Sequence, residues 1–271
     1  MRLDRYLANA GIGTRKEVKK LIKEKHVKID NNFVTDSSFS VDFNTQVYLD
    51  EKLVDYKEFY YVLLNKPKGY ISATYDGYHQ VVLDLIPEYK KYKVAPVGRL
   101  DIDTTGVMLL TNNGSLSHIL LSPKRHVDKT YLAEVNHKLD NSLINNFKDG
   151  VILDDGYNCL PSKLEIIDDY HAKLTIHEGK FHQVKRMFQA FGYEVISLDR
   201  ISFANLTYVN LKQGEYRELT EEETKYLLDL ANLWHFCSKK VNYLSTRLIS
   251  SLLILITIFF REFFQIHIHV W

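Results

Sequence analysis

Two carboxylates, Asp101 and Asp103, lie two residues apart in the stretch VGRLDIDTTGVMLLTNNG (97–114), with Arg99 beside them and Gly98 and Gly106 on either side. Glycines flanking a charged centre describe a turn, and the apolar run Val107–Leu110 that follows predicts a buried strand. A turn that leans on a buried strand holds a side chain in fixed geometry, as a carboxylate nucleophile or base requires. Spacing alone leaves other readings open. An Asp in a turn often hydrogen-bonds its own backbone, and Asp101-Ile102-Asp103 also suits a metal-dependent glycosyltransferase. Nor does spacing separate Asp101 from Asp103.

Three further motifs occur in the chain: LNKPKGYIS (64–72), KTYLAEV (129–135) and HEGKFHQVKRMFQAFG (177–192). With the GRLD element and its following T-x-G, they resemble the signature of pseudouridine synthases, in particular the small-subunit rRNA branch that carries an S4 domain. The resemblance runs from Met1 to about Leu230. It implies isomerisation of uridine to pseudouridine in ribosomal RNA, at one uridine of 16S rRNA of the uridine-516 class. Relatives of the same architecture act on 23S rRNA, and a non-catalytic S4-type RNA-binding protein is the rival reading.

By motif position the resemblance makes Asp101 the nucleophile and leaves Asp103 to cap the loop. Tyr131, in Lys129-Thr130-Tyr131, is expected to stack on the target base and to assist removal of the C5 proton. Lys185 takes the place of the basic partner of the catalytic carboxylate. Arg99, Lys66 and Lys68 are expected to face the RNA, as are His182, Gln183 and Arg186 beside Lys185.

The reaction breaks a C1′–N1 bond and makes a C1′–C5 bond with no change of atoms, so no cofactor or metal is expected. A carboxylate near C1′ can form a glycosyl ester or remove the 2′ proton to give a glycal, and sequence does not choose between them. In a dry cleft that carboxylate stays ionised only beside a positive charge. The target base must also leave its stack, at a few kcal/mol.

The elements that must position these groups are legible in outline. Net charge is +1, but residues 1–30 hold nine Lys/Arg against four acids, a local surplus of five. Leu3–Ala10 reads as a short helix closed by Gly11. Thr14 and Glu17 form a capping box that opens a second helix, with Val18, Leu21 and Ile22 inward. Short strands follow at Val27–Ile29 and Gln46–Leu49. The pattern resembles a small αL-type S4 RNA-binding domain over 1–58, in which Arg5, Arg15, Lys16, Lys19 and Lys20 would lie on phosphates.

Residues 60–230 read as an α+β catalytic domain: a mixed, mostly antiparallel sheet with flanking helices. Strands are expected at Tyr60–Leu64, Val107–Leu110, Thr130–Val135, Val151–Leu153, Leu164–Ile167, Ala172–Ile176 and Leu206–Leu211, with the sheet closing at Gly214–Arg217. Helices are expected from Leu116, over Leu139–Asp149 and Phe181–Phe191, and from Thr220 with Glu223 as capping partner.

The two cysteines, Cys159 and Cys237, are too far apart for a paired metal motif, and the N-terminus lacks an apolar signal-peptide core. A cytoplasmic monomer with rRNA or an assembly intermediate as partner is the expectation. Residues 231–271 resemble nothing in the family. Their run LISSLLILITIFF (248–260) is short of the ~20 residues of a membrane span, is β-prone, and reads as a dispensable, non-native extension, with an anchor or partner-binding helix as alternatives.

Overall fold

A computed structural model of the chain describes residues 1–42 and 45–231. The chain divides into two units, Met1–Thr224 and Lys225–Trp271. The apolar run 248–260 and the other calls on the tail lie outside the described residues. Among the described residues no helix is long and apolar enough to cross a membrane.

The N-terminal segment forms α1 (Leu3–Asn9), α2 (Arg15–Lys23), β1 (Val27–Ile29), β2 (Asn32–Phe33), β3 (Val47–Leu49) and β4 (Lys52–Leu53), with sheet order β2-β1-β3-β4. The capping box opens α2 as expected: Thr14 Oγ1 accepts from Glu17 N at 3.3 Å, and Thr14 N donates to the Glu17 carboxylate at 2.7 Å. Val18 and Ile22 of α2 are fully buried against Leu3, Leu7, Val27 and Val47. Each such side chain contributes about 1.5–3 kcal/mol by leaving water. Arg15, Lys16, Lys19, Lys20 and Lys23 occupy the exposed side of the same helix, and Arg5 is exposed on α1.

The larger part is a nine-stranded sheet. Its strands are β5 (Tyr61–Lys66), β6 (Ala95–Pro96), β7 (Thr105–Thr111), β8 (Lys129–Val135), β9 (Lys163–Ile166), β10 (His171–Ile176), β11 (Val195–Phe203), β12 (Leu206–Thr207) and β13 (Tyr216–Glu218). The order is β13-β5-β7-β11-β8-β10-β9, with β6 on β7 and β12 on β11. Every pairing is antiparallel except β7 with β11. Helices α3 (Gly114–Leu121), α4 (Ser142–Asp149) and α5 (Gln183–Gln189) accompany the sheet, and a further helix occupies 221–231. Val184, Met187 and Phe188 of α5 join Phe147 of α4 in the main core, with the Phe147 and Phe188 ring centroids 5.1 Å apart.

Three elements depart from expectation. Ile152 makes only an isolated bridge to Asn158, and the strand expected over Leu206–Leu211 stops at Thr207. The central strand β11 has no counterpart among the expected strands. Its pairing with β8 contains two irregularities, between Val195 and Ser197 and between Arg200 and Ser202. Such bulges break the two-residue alternation by which a strand is recognised.

Candidate active site

The turn carrying the two carboxylates is fastened almost entirely by the segment 66–72. Ser72 Oγ accepts from Leu100 N at 2.9 Å and donates to Leu100 O at 2.7 Å. Gly69 N donates to Ile102 O at 2.8 Å, and Thr104 N closes the turn onto Asp101 O at 3.1 Å. Beneath the turn, Lys66 Nζ donates to three carbonyls: Pro67 at 3.1 Å, Asp101 at 3.0 Å and Thr104 at 2.8 Å. Lys66 is 0% exposed, so it does not face RNA, contrary to the expectation. Its ammonium bonds backbone carbonyls that would otherwise lack donors inside the fold. Burial pushes its pKa down to about 8, against the opposing pull of Asp103 and Asp101. Lys68 and Arg99, in contrast, are exposed beside the turn.

The carboxylates face the segment 181–185. Asp101 Oδ1 lies 3.4 Å from His182 Nε2, and Asp101 Oδ2 lies 3.6 Å from Lys185 Nζ. The same ammonium donates to both oxygens of Asp103, at 2.6 and 2.8 Å. The carboxylate of Asp103, the residue expected to cap the loop, is engaged chiefly by Lys185. It takes the strongest bonds of Lys185, which hold its carboxyl below the usual range. Asp101 keeps a carboxylate flanked by two potential cations at slightly longer range, and its side chain remains 29% exposed. A nucleophile needs this combination of charge compensation and access. The site is only half-buried, with Lys185 at 24% exposure. In the metal-dependent reading a cation would sit between the two carboxylates, where Lys185 Nζ lies.

His182 faces Asp101 from a left-handed backbone position (φ 48°, ψ 31°) immediately before α5. Gln183 sets the adjoining geometry from inside. It is buried, its Oε1 accepts from Lys180 N at 2.9 Å, and its Nε2 donates to Glu178 at 2.8 Å. Glu178, itself buried, also accepts from Tyr157 Oη at 2.7 Å and Leu160 N at 2.9 Å. Gln183 is thus a brace rather than the RNA contact expected. Arg186 is engaged by Asp154 and Asp155, its Nε 2.6 Å from Asp154 and its Nη2 2.8 Å from Asp155. Two carboxylates already neutralise the charge it was expected to offer RNA.

Tyr131 sits in one row across the sheet. The register runs Leu174 (β10), Tyr131 (β8), Arg200 (β11), Gly106 (β7), Lys66 (β5). Tyr131 is therefore level with the strand that follows the carboxylate turn, two strands across. Its ring is buried, and its hydroxyl makes no hydrogen bond among the described residues. Gly106 permits the row to close. Its φ is +104°, and an added Cβ would stand 2.3 Å from Arg200 O and 2.7 Å from Arg200 N. Arg200 and Asp199 were not anticipated. Arg200 is buried and donates through Nε to Val107 O at 2.7 Å; Asp199 Oδ1 accepts from Thr105 Oγ1 at 2.5 Å. Nothing in the local sequence marks these two as partners of β7, because the bulges of β11 hide it.

Residues 60–190 match the family model for RNA pseudouridylate synthase, and residues 1–47 match the S4 domain. The chain is 46% identical to the uncharacterized RNA pseudouridine synthase YtzG of Bacillus subtilis over 84% of this chain and 98% of that protein. It is 37% identical to the ribosomal small subunit pseudouridine synthase A of Haemophilus influenzae, over 84% of this chain and 100% of that one. The ribosomal large subunit pseudouridine synthase B of Bacillus subtilis is 38% identical, over 85% and 97%. A crystal structure of a pseudouridylate synthase superposes with a TM-score of 0.60 at 35% identity, covering 84% of this chain and 99% of that one.

Proposed function

For a chain that belongs to the RNA pseudouridylate synthase family and begins with an S4 domain, we propose that the reaction is isomerisation of one uridine of 16S rRNA, of the uridine-516 class, with Asp101 as the attacking group. The observation that carries this reading is the Asp101 carboxylate, fixed by its own backbone and left open between His182 and Lys185.

The target uridine leaves its stack and enters beside Asp101. The carboxylate either bonds C1′ as the C1′–N1 bond breaks, or removes the 2′ proton as that bond breaks, leaving a glycal. The freed base turns and C5 bonds C1′, as the ester C1′–O bond breaks or the 2′ proton returns; the C5 proton then leaves and N1 takes up a proton. Tyr131 stacks on the base and assists removal of the C5 proton. Lys185 offers Asp101 a positive partner at 3.6 Å. The exposed cations of α1 and α2 grip phosphates and offset the cost of flipping. The enzyme acts as a cytoplasmic monomer, residues 1–58 holding RNA and 60–230 doing the chemistry. Small-subunit relatives support the choice of 16S rRNA. A 23S target is the second reading, because a large-subunit synthase is as similar as the small-subunit ones.

The test is to incubate the protein with 16S and 23S rRNA and their assembly intermediates and to map pseudouridine by carbodiimide-block primer extension. One new stop on 16S rRNA, absent with Asp101→Asn, is expected. Loss of a nucleophile lowers turnover on the order of 10³-fold or more. A stop on 23S rRNA alone transfers the assignment; no stop on either, with RNA still bound, overturns it.

A further inference from the structure

Phe181 is 74% exposed, among the most open large apolar side chains of the described residues. It is also ordered by contact: its ring stacks on His182 with centroids 3.7 Å apart and planes 21° from parallel. The other end of His182 faces Asp101 at 3.4 Å. The left-handed backbone of His182 is a conformation that non-glycine residues adopt rarely and at some energetic cost. Here that cost is associated with an aromatic pair that begins at the nucleophile and ends with a bare ring in water. A free aromatic face suits single-stranded nucleic acid, in which any base offers a π-face.

We propose that the Phe181–His182 stack is a landing platform for a nucleobase flanking the target uridine. It rests on the reading of Asp101 as the group that attacks a flipped uridine. When the uridine leaves the strand for Asp101, its neighbour loses a stacking partner, and the outer face of Phe181 replaces it. The platform makes an unpaired nucleotide beside the target a requirement of the substrate. Because any base can stack, it selects for local strand opening rather than for a particular letter.

The test uses the full chain and a 16S rRNA fragment in which 2-aminopurine replaces, in turn, each nucleotide flanking the modified uridine. Fluorescence quenching at one flank is expected on binding, and its loss in Phe181→Ala. In turnover, Phe181→Ala raises KM by on the order of tenfold or more, the loss of one base–aromatic stack, and affects KM far more than kcat. Phe181→Trp restores KM and Phe181→Leu does not. Quenching unchanged in Phe181→Ala, or Leu restoring as well as Trp, overturns the platform while leaving the synthase reading intact. If the wild type fails to modify the fragment, that reading falls separately; the quenching experiment still decides the platform, and no quenching at either flank rejects it.

Discussion

Replacing Lys66 by methionine separates a residue that positions the nucleophile from one that binds RNA. Methionine fills much of the same volume but leaves the carbonyls of Pro67, Asp101 and Thr104 without their donor. Hydrogen bonds to a charged group contribute about 1.5–3 kcal/mol each, so the three favour the native side chain by at least about 4 kcal/mol. Against this stands the cost of the buried charge. A pKa pushed from 10.5 to about 8 corresponds to about 3 kcal/mol of disfavour for the ammonium. Near neutral pH the second term offsets part of the first, leaving a net loss of at least about 1 kcal/mol. The turn itself has no such compensation. A shift of about 1 Å in a reacting group can lower rates on the order of 100-fold, so kcat is expected to fall by that order while RNA affinity stays within about twofold. Single-turnover tritium release from RNA carrying 5-tritiated uridine reads kcat, filter binding reads affinity, and urea unfolding reads stability. The pH dependence has a definite sign. Because the folded-state pKa is the lower one, the burial penalty is full below about 8 and vanishes above 10.5. The stability of the wild type relative to Lys66→Met should therefore rise between those limits. A Lys66→Met enzyme with undiminished kcat, or one whose defect lies in RNA affinity, refutes the anchoring argument.

Lys185→Met should lower kcat at least tenfold. It should lower stability by no more than about 1 kcal/mol, because its pairs with Asp101 and Asp103 are partly open to water; a loss of several kcal/mol in urea unfolding would mean the site closes further than the structure indicates. Gly106→Ala places a methyl 2.3 Å from Arg200 O at a left-handed φ and is expected to destabilise by about 3 kcal/mol or more, read as a lowered Tm; an unchanged Tm would contradict the register of β7 against β11. Tyr131→Phe should keep RNA binding and lose turnover if the hydroxyl assists at C5, and tritium release at the wild-type rate would restrict Tyr131 to stacking.

Local signals served well where local physics decides. The capping box of α2, the buried run inside β7 and the apolar side of α5 follow from spacing and side-chain type. Motif resemblance, not spacing, distinguished Asp101 from Asp103; the geometry adds that Asp103 is the principal hydrogen-bond partner of Lys185. The burial of Lys66 is not legible locally, because a lysine next to Pro67 and Gly69 reads as a solvated turn, and lysine is seldom buried. Its burial depends on carbonyls that arrive from residues 101 and 104. Gln183 and Arg186 follow the same logic: their partners, Glu178, Asp154 and Asp155, become neighbours only in the folded chain. β11 escaped because Asp199 and Arg200 interrupt its apolar residues and two bulges disturb its alternation.

The position of β11 also bears on how the enzyme comes into being. β5, β6 and β7 pair among themselves, as do β8, β9 and β10. In the strand order the two groups meet only through β11. A nascent chain that ends before residue 195 therefore carries two half-sheets with open edges, Asp101 attached to one and Tyr131 to the other. Such edges invite pairing with other chains. Insertion of β11 pairs with both facing edges and brings Tyr131, Arg200, Gly106 and Lys66 into one row, so the event that closes this seam to other chains is also the event that sets Tyr131 level with the carboxylate turn.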